Sequence, residues 1–314
     1  MDKYTKLNNQ LLALEKEKYK QGGVLPRFKR YYYTWLLLTR NRLAKKINPI
    51  VKVEQNNQEI EMQLANNIPL FKARYRSYDK PIMIISKWIY EQKQRLNFVD
   101  VGANVGDTVV NIGIKEGNYL EIEGDERYFD CLVRNLENYH YKLVNCFLTD
   151  YLIPQQEVNV VYTLGHVLEK VDKDMQTLDN ILDEMKFDAD IIKSDTDGYD
   201  LKVIRGGMNY IKTKHPFLFV EWHPKWLIEN NQENPLELFK IMSDAGYQKC
   251  ILFDNYGTIQ AVLDTEDVLN FKVFEKYCLN EEKQVCYYDI CFIPSAIHNL
   301  DSLIDNLINW ERYC

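Results

Sequence analysis

The stretch Asn97-Phe98-Val99-Asp100-Val101-Gly102-Ala103-Asn104-Val105-Gly106-Asp107-Thr108 decides the fold. Residues 97–101 read as a short buried strand, and the helix-like pattern that follows covers 105–115. Between them Gly102 and Gly106 permit a tight turn and close backbone approach. The same rhythm recurs downstream. Strands are expected at 119–123, 142–148, 189–194 and 217–222, with helices at 126–138 and from 199 to about 213. Strands alternating with helices mean right-handed βαβ units and a parallel sheet. Two later runs, 246–253 and 285–292, suit antiparallel strands pairing at one edge. The expected fold is α/β and Rossmann-like, with a mixed seven-stranded sheet and one antiparallel edge.

The chemistry of the first turn narrows its ligand. A dinucleotide fingerprint is G-x-G-x-x-G, whose later glycines admit a pyrophosphate. Counting from Gly102, those later places hold Asn104 and Asp107. Asp100 and Asp107 add negative charge, which repels phosphate and favours an ammonium or sulfonium group. Glu123 ends the second strand, where a carboxylate can accept two hydrogen bonds from a ribose diol, as the acidic residue of dinucleotide folds does. Asp150, past the third strand, is a weaker candidate to receive an adenine amino group.

Asp195-Thr196-Asp197-Gly198-Tyr199-Asp200 follows the strand at 189–194. Ligands of open α/β sheets sit at strand carboxyl ends. Three carboxylates in six residues cost energy unless a cation or a proton-transfer role compensates. An Asx-type helix cap by Asp197 is the plainer alternative. The next strand ends Glu221-Trp222-His223, so Glu221 and His223 are expected in the same cleft. His223 has the ordinary pKa of a proton acceptor. His166 is a second histidine candidate, without a spacing argument; His140, His215 and His298 are read as surface or structural.

The chain divides into a basic helical extension over 1–50, a hairpin-and-helix lead-in over 51–96 and the Rossmann-like domain over 97–314. The net charge of −7 conceals an asymmetry: residues 1–46 hold 12 Lys/Arg against 3 Asp/Glu, or +9, leaving −16 elsewhere. An acidic body argues against a nucleic-acid groove. The aromatic and leucine run 28–38, flanked by Lys and Arg, has what an interfacial membrane helix needs. It equally suits a helix packed on the core, in a homodimer or against a partner protein. Seven cysteines without metal or redox spacing, no signal-peptide pattern and no apolar run of about 20 residues read as a cytoplasmic protein, peripheral at the inner membrane face if the basic helices bind lipid.

At these motifs the sequence resembles the FkbM family of class I S-adenosylmethionine-dependent methyltransferases, over about residues 66–295. Asp100-Val101-Gly102-Ala103-Asn104-Val105-Gly106-Asp107 resembles the family's cofactor loop, and Ile122-Glu123-Gly124 its strand-end acid. Gln176-Thr177-Leu178-Asp179 is similar to its TLD element. Ile192-Lys193-Ser194-Asp195-Thr196-Asp197-Gly198-Tyr199-Asp200 resembles its K-x-D-x-E-G-x-E signature, with Asp197 and Asp200 where the family commonly has Glu. Pro216-Phe217-Leu218-Phe219-Val220-Glu221 resembles its final strand. The resemblance implies S-adenosylmethionine as cofactor, held by Asp100, Gly102, Ala103, Asn104, Gly106, Asp107, Glu123, Asp150 and Asp195. The lead-in, Asn67 to Lys72 and Tyr78 to Lys80, resembles members associated with surface-glycan synthesis, implying a sugar hydroxyl as acceptor. The expected chemistry is O-methylation with His223 as base, Asp195 near the methyl group, and Glu221 or Asp197 orienting the hydroxyl. No metal is expected. The rivals are a transferase with Mg2+ on Asp195, Asp197 and Glu221, and a non-catalytic module retaining the fold.

Overall fold

The computed structural model describes residues 2–20, 22–162, 166–280, 282 and 285–310, with backbone alone at 153–162 and 166–174. Cys314 lies outside the described residues, as does the side chain of His166.

The chain opens with two helices, α1 (Lys3–Lys20) and α2 (Arg27–Lys46), then a hairpin of β1 (Ile50–Gln55) and β2 (Gln58–Gln63). Its turn is Asn56-Asn57, both at positive φ (49° and 59°), a conformation asparagine tolerates better than most residues. Next come α3 (Ile68–Arg74), α4 (Lys80–Lys93), β3 (Asn97–Val101), α5 (Asp107–Ile112), β4 (Asn118–Ile122), α6 (Glu126–Asn135) and β5 (His140–Val144). A short β6 (Phe147–Leu148) pairs with the hairpin of β7 (Ile153–Tyr162) and β8 (His166–Gln176), forming a small separate sheet. The core resumes with α7 (Leu178–Met185), β9 (Ile191–Ser194), α8 (Asp200–Gly206), α9 (Met208–Lys214) and β10 (Phe217–Trp222). The remainder is α10 (Pro224–Asn231), α11 (Glu237–Asp244), β11 (Lys249–Asp254), β12 (Ile259–Asp264), α12 (Val268–Cys278), β13 (Tyr288–Ile293) and α13 (Leu300–Ile308).

The main sheet has eight strands in the order β12-β11-β13-β10-β9-β3-β4-β5. Five neighbours, β5 to β10 in that order, are parallel. β13 is antiparallel to both β10 and β11, so β11 runs with the parallel set. The expected mixed sheet with 246–253 and 285–292 paired antiparallel toward one edge is present, and the expected count of seven strands is corrected to eight. The antiparallel β13 lies inside the sheet, and β12 adds an eighth, antiparallel edge strand. β12 went unread because its burial alternates and Val262 is exposed, leaving a weak apolar run. The β7–β8 hairpin was likewise not read.

Alternation in each strand makes two cores. Phe98, Tyr119, Ile191, Phe217, Phe219 and Cys291 pack on the side of α1, α4, α5 and α13. Val99, Leu120, Ile192, Leu218, Val220 and Ile290 pack toward α7, α8, α11 and α12. Apolar side chains on both faces are what a parallel sheet covered by two helical layers requires. The single helix expected from 199 divides into α8 and α9 at Gly206-Gly207. A Cβ at Gly206 would lie 2.2 Å from the Thr149 carbonyl oxygen. The TLD element is structural: Thr177 accepts from the Asn180 N–H to cap α7, and Asp179 accepts from the Asn209 and Tyr210 N–H groups to cap α9.

The chain runs outward from β3 through β4 to β5, then returns to place β9 and β10 on the other side of β3. Strand order therefore reverses between β3 and β9, and their carboxyl ends form the crevice where such sheets bind ligands.

Candidate active site

The turn after β3 is held from below. The Gly102 and Ala103 N–H groups donate to the Ile122 carbonyl at 2.9 and 3.2 Å. Gly102 has φ +81°, and a Cβ there would lie 2.0 Å from the Asp195 carbonyl oxygen. Glycine is needed at 102 because the loop after β9 passes directly over it. Asn104 and Gly106 also take positive φ (50° and 75°).

Glu123, from the end of β4, reaches across to this turn. Its two carboxylate oxygens accept from the Asn104 N–H at 2.7 Å and the Asp125 N–H at 2.6 Å. Burial pushes its carboxyl up to about 7 even against those two amides. A carboxylate has roughly four acceptor directions, so it can still serve a diol. Asp150 lies beyond β6, near Thr149 Oγ1 (3.2 Å) and Arg205 (3.8 Å). Asp107 opens α5, 3.3 Å from Lys72 Nζ.

Register across the sheet assembles the rest. Asp100 is level with Glu121 on β4 and with Lys193 on β9. Lys193 Nζ lies 3.1 Å from Asp100 and 3.3 Å from Asp195. Burial opposes its charge, but Asp100 and Asp195 outweigh that and hold the ammonium well above its ordinary range. Burial in turn pushes Asp100 up to about 6 despite Lys193. Glu121, wholly buried with neither oxygen partnered, is pushed well up, first by burial and then by Asp100.

The loop after β9 is stitched by Asp200. Its carboxylate accepts from Ser194 Oγ at 2.6 Å and from the Thr196 and Gly198 N–H groups at 3.1 and 3.3 Å. The helix cap weighed for Asp197 is not made: α8 starts after Tyr199 without a side-chain cap, and Asp200 bonds the loop before it. Asp197 instead sits at φ +52°, its carboxyl pushed up to about 7 by burial and then by Asp195. Asp195 is half exposed.

β9 and β10 pair as far as Ser194 and Val220; Asp195 and Glu221 follow them, and the register partner of Glu221 on β13 is Asp289. Burial, followed by the Asp195 charge, pushes both Glu221 and Asp289 well above the carboxylate range. Tyr78 and Tyr287 close this end: the charges of Asp195 and Asp289 act on both phenols. Sequence reasoning missed Asp289, Tyr78 and Tyr287, and gave Lys193 no role. Period-two alternation through 285–292 could have placed Asp289 on one face, but not against Glu221.

His223 ends β10 with its ring stacked on Trp226, centroids 4.0 Å apart and planes 1° from parallel. Its Nδ1 accepts from the Trp226 N–H at 3.3 Å and caps α10. Burial lowers its pKa to about 4, so the ring is neutral at pH 7. With Nδ1 accepting, the ring proton belongs on Nε2, which presents a donor.

This donor set fits a cationic ligand. Asp100 Oδ2, Thr196 Oγ1 and Glu221 Oε2 are buried without a protein partner, and carboxylates outnumber ammonium groups around the turn. Among the described residues no three His, Cys, Asp or Glu side chains are grouped to hold a metal. The Mg2+ arrangement on Asp195, Asp197 and Glu221 is therefore not assembled.

Residues 100–249 match the family model of the methyltransferase FkbM domain. This segment is a methyltransferase FkbM domain. S-adenosylmethionine is the cofactor of such a domain, in keeping with the acidic turn. No curated protein matches the chain. Among solved structures, the chain is similar to a methyltransferase FkbM from Methylobacillus flagellatus KT. That match has 15% identity and a TM-score of 0.36, covering 67% of this chain and 52%, about half, of that one. It is also similar to the METTL16 methyltransferase domain (13% identity, TM-score 0.42, 90% of each chain). A third is a precorrin-6y C5,15-methyltransferase from Geobacter metallireducens GS-15 (11% identity, TM-score 0.36, 68% of this chain and 87% of that).

Proposed function

We propose that this FkbM-domain chain methylates a hydroxyl oxygen, on a sugar of a surface glycan or glycan precursor. The observation that carries the reading is Glu221 and Asp289, register partners on β10 and β13, with Asp195 one residue past the paired end of β9 beside the cofactor turn. The turn 102–106, with Asp100 and Asp107 behind it, would hold the cofactor together with Glu123, Asp150 and Asp195. When bound, S-adenosylmethionine supplies an electrophilic methyl group and a sulfur leaving group.

The protein's task is alignment and proton transfer. Two neighbouring carboxyls of raised pKa do not readily both ionise, so Glu221 and Asp289 would share one proton and one negative charge. The ionised member would accept the proton of the acceptor hydroxyl as the methyl group passes to its oxygen. Asp289, only partly buried, returns the proton to water. We assign the base to this carboxyl pair in preference to His223, whose Nε2–H suits donation to an acceptor oxygen. Asp195 would stand near the transferred methyl group, and Asp197 would help to orient the hydroxyl. Tyr78, Tyr287 and Trp226 supply aromatic faces suited to a sugar ring.

The test is transfer of an isotopically labelled methyl group to free, nucleotide-linked and lipid-linked sugars, with the product located by NMR. An O-methyl product, lost in Glu221→Gln and Asp289→Asn while cofactor affinity stays within a few-fold, supports the reading. Labelling of nitrogen, or absence of cofactor binding, would sink it.

A further inference from the structure

α2 carries a surface that the methyl-transfer site does not use. Its inner face is anchored. Tyr33, Leu36 and Arg40 are buried, and Arg40 donates to the Asn66 carbonyl (2.7 Å), Asn67 Oδ1 (3.1 Å) and Asn8 Oδ1 (3.3 Å). Lys29 is tied to Glu17 at 2.7 Å. The opposite face is apolar and open: Phe28 is 73% exposed, Tyr31 63%, Trp35 56% and Leu38 61%. With Tyr32, these residues follow the spacing i, i+3, i+4, i+7 and i+10, one stripe of an α-helix. Arg42 and Lys46 continue it, while Arg27, Arg30 and Lys45 stand exposed at its sides.

Charge identifies the occupant. α2 contains seven Lys/Arg and no Asp or Glu. Each of the three acids of residues 1–46 is engaged by a neighbour. Asp2 accepts from Thr5, Glu15 is wholly buried against Arg74, and Glu17 holds Lys29. A second copy would bring the same cations against each other, and an acidic protein would not need five large apolar side chains in a row. Tyr and Trp favour the bilayer interface, where basic side chains reach the headgroups from either flank.

We propose that the outer face of α2 docks the protein on an anionic lipid surface, with Phe28, Tyr31, Trp35 and Leu38 inserted among the headgroups and Arg42 and Lys46 on the lipid phosphates. The helix lies in the interface plane, since no helix among the described residues is long and apolar enough to cross a membrane. This docking is independent of the reaction assigned to the domain.

The test is flotation of the full chain with vesicles of phosphatidylcholine alone or with one-third phosphatidylglycerol, at low and high salt. Binding is expected only to the anionic vesicles and should weaken as salt rises. Arg42→Glu with Lys46→Glu should lower it at least tenfold, at about fivefold per basic residue lost. Trp35→Ala with Leu38→Ala should abolish it, with an unchanged melting temperature because both side chains are exposed. A blue shift of Trp35 emission, absent in Trp35→Phe, would report insertion. Absence of vesicle binding overturns the proposal. So does binding unaffected by either double variant, a concentration-dependent dimer dispersed by Trp35→Ala, or preferential capture of single-stranded RNA.

Discussion

Glu221 on β10 and Asp289 on β13 are register partners in an antiparallel pair, so their side chains leave the same face of the sheet. Both are pushed well above the usual range, first by burial and then by Asp195. Their raised values have a signed consequence. A carboxyl whose folded pKa exceeds its unfolded one binds more protons when folded, so its contribution to stability is full below about 4.5 and declines as pH rises. Glu221→Gln should therefore raise the melting temperature near neutral pH, by roughly 2–4 °C for about 1 kcal/mol in a chain of this size. The same change should lower turnover at least a hundredfold. Thermal melts from pH 5 to 8 check the first and initial rates the second. A variant both less stable and fully active would contradict the shared proton.

Cofactor affinity should follow Glu123. Its carboxyl sits at about 7 through burial, and a diol's O–H groups bond the ionised form better than the neutral one. Affinity should rise as pH rises through about 7 and then level, and Glu123→Gln should flatten the curve. Calorimetric titration at pH 6, 7 and 8 is the measurement. Glu123→Ala is a harsher probe, because it strands the Asn104 and Asp125 amides at about 1–3 kcal/mol each.

Lys193 is bonded to a fully buried carboxylate at 3.1 Å. Lys193→Met removes that cation and should cost roughly 3–5 kcal/mol, the range for breaking a buried pair by deleting one partner. Lys193→Met combined with Asp100→Asn should recover much of the loss. Urea unfolding of both variants reads it directly, and equal losses would mean that the pair is not coupled.

Gly102→Val is expected to fail by misfolding before any effect on binding can be read, since its Cβ would meet the Asp195 carbonyl at 2.0 Å. Circular dichroism and a melt should show loss of the cooperative transition. A folded Gly102→Val that merely binds cofactor weakly would mean that the loop after β9 can yield.

His223→Ala should cost about 1 kcal/mol, the value of a helix cap, through the lost bond to the Trp226 N–H. Turnover should fall more than cofactor affinity if the Nε2–H donates to the acceptor oxygen as proposed. The rise of rate with pH should persist in the variant, since the carboxyl pair sets it. A variant whose rate no longer responds to pH would return the role of base to His223.

The order of the parallel strands from 97 to 222, and the turn at Gly102, were legible because both are local. Alternation of apolar residues, helix spacing and glycine at a sharp bend depend on near neighbours in the chain. Glu123 was legible for the same reason, by its distance from the turn. Asp289 was not. It became a neighbour of Glu221 only when β13 entered the sheet antiparallel between β10 and β11, a pairing that alternation along β13 does not encode. Nor was the division of labour among the aspartates after β9. Asp200 and Asp197 are the same residue type three positions apart, yet one accepts three hydrogen bonds and stitches the loop while the other sits partly buried at positive φ. Local sequence determined which segments could become strands and where the cofactor turn must lie. Tertiary packing decided which carboxyls lost water, which met Lys193 and which met each other, because desolvation and charge pairing depend on neighbours that only the fold supplies.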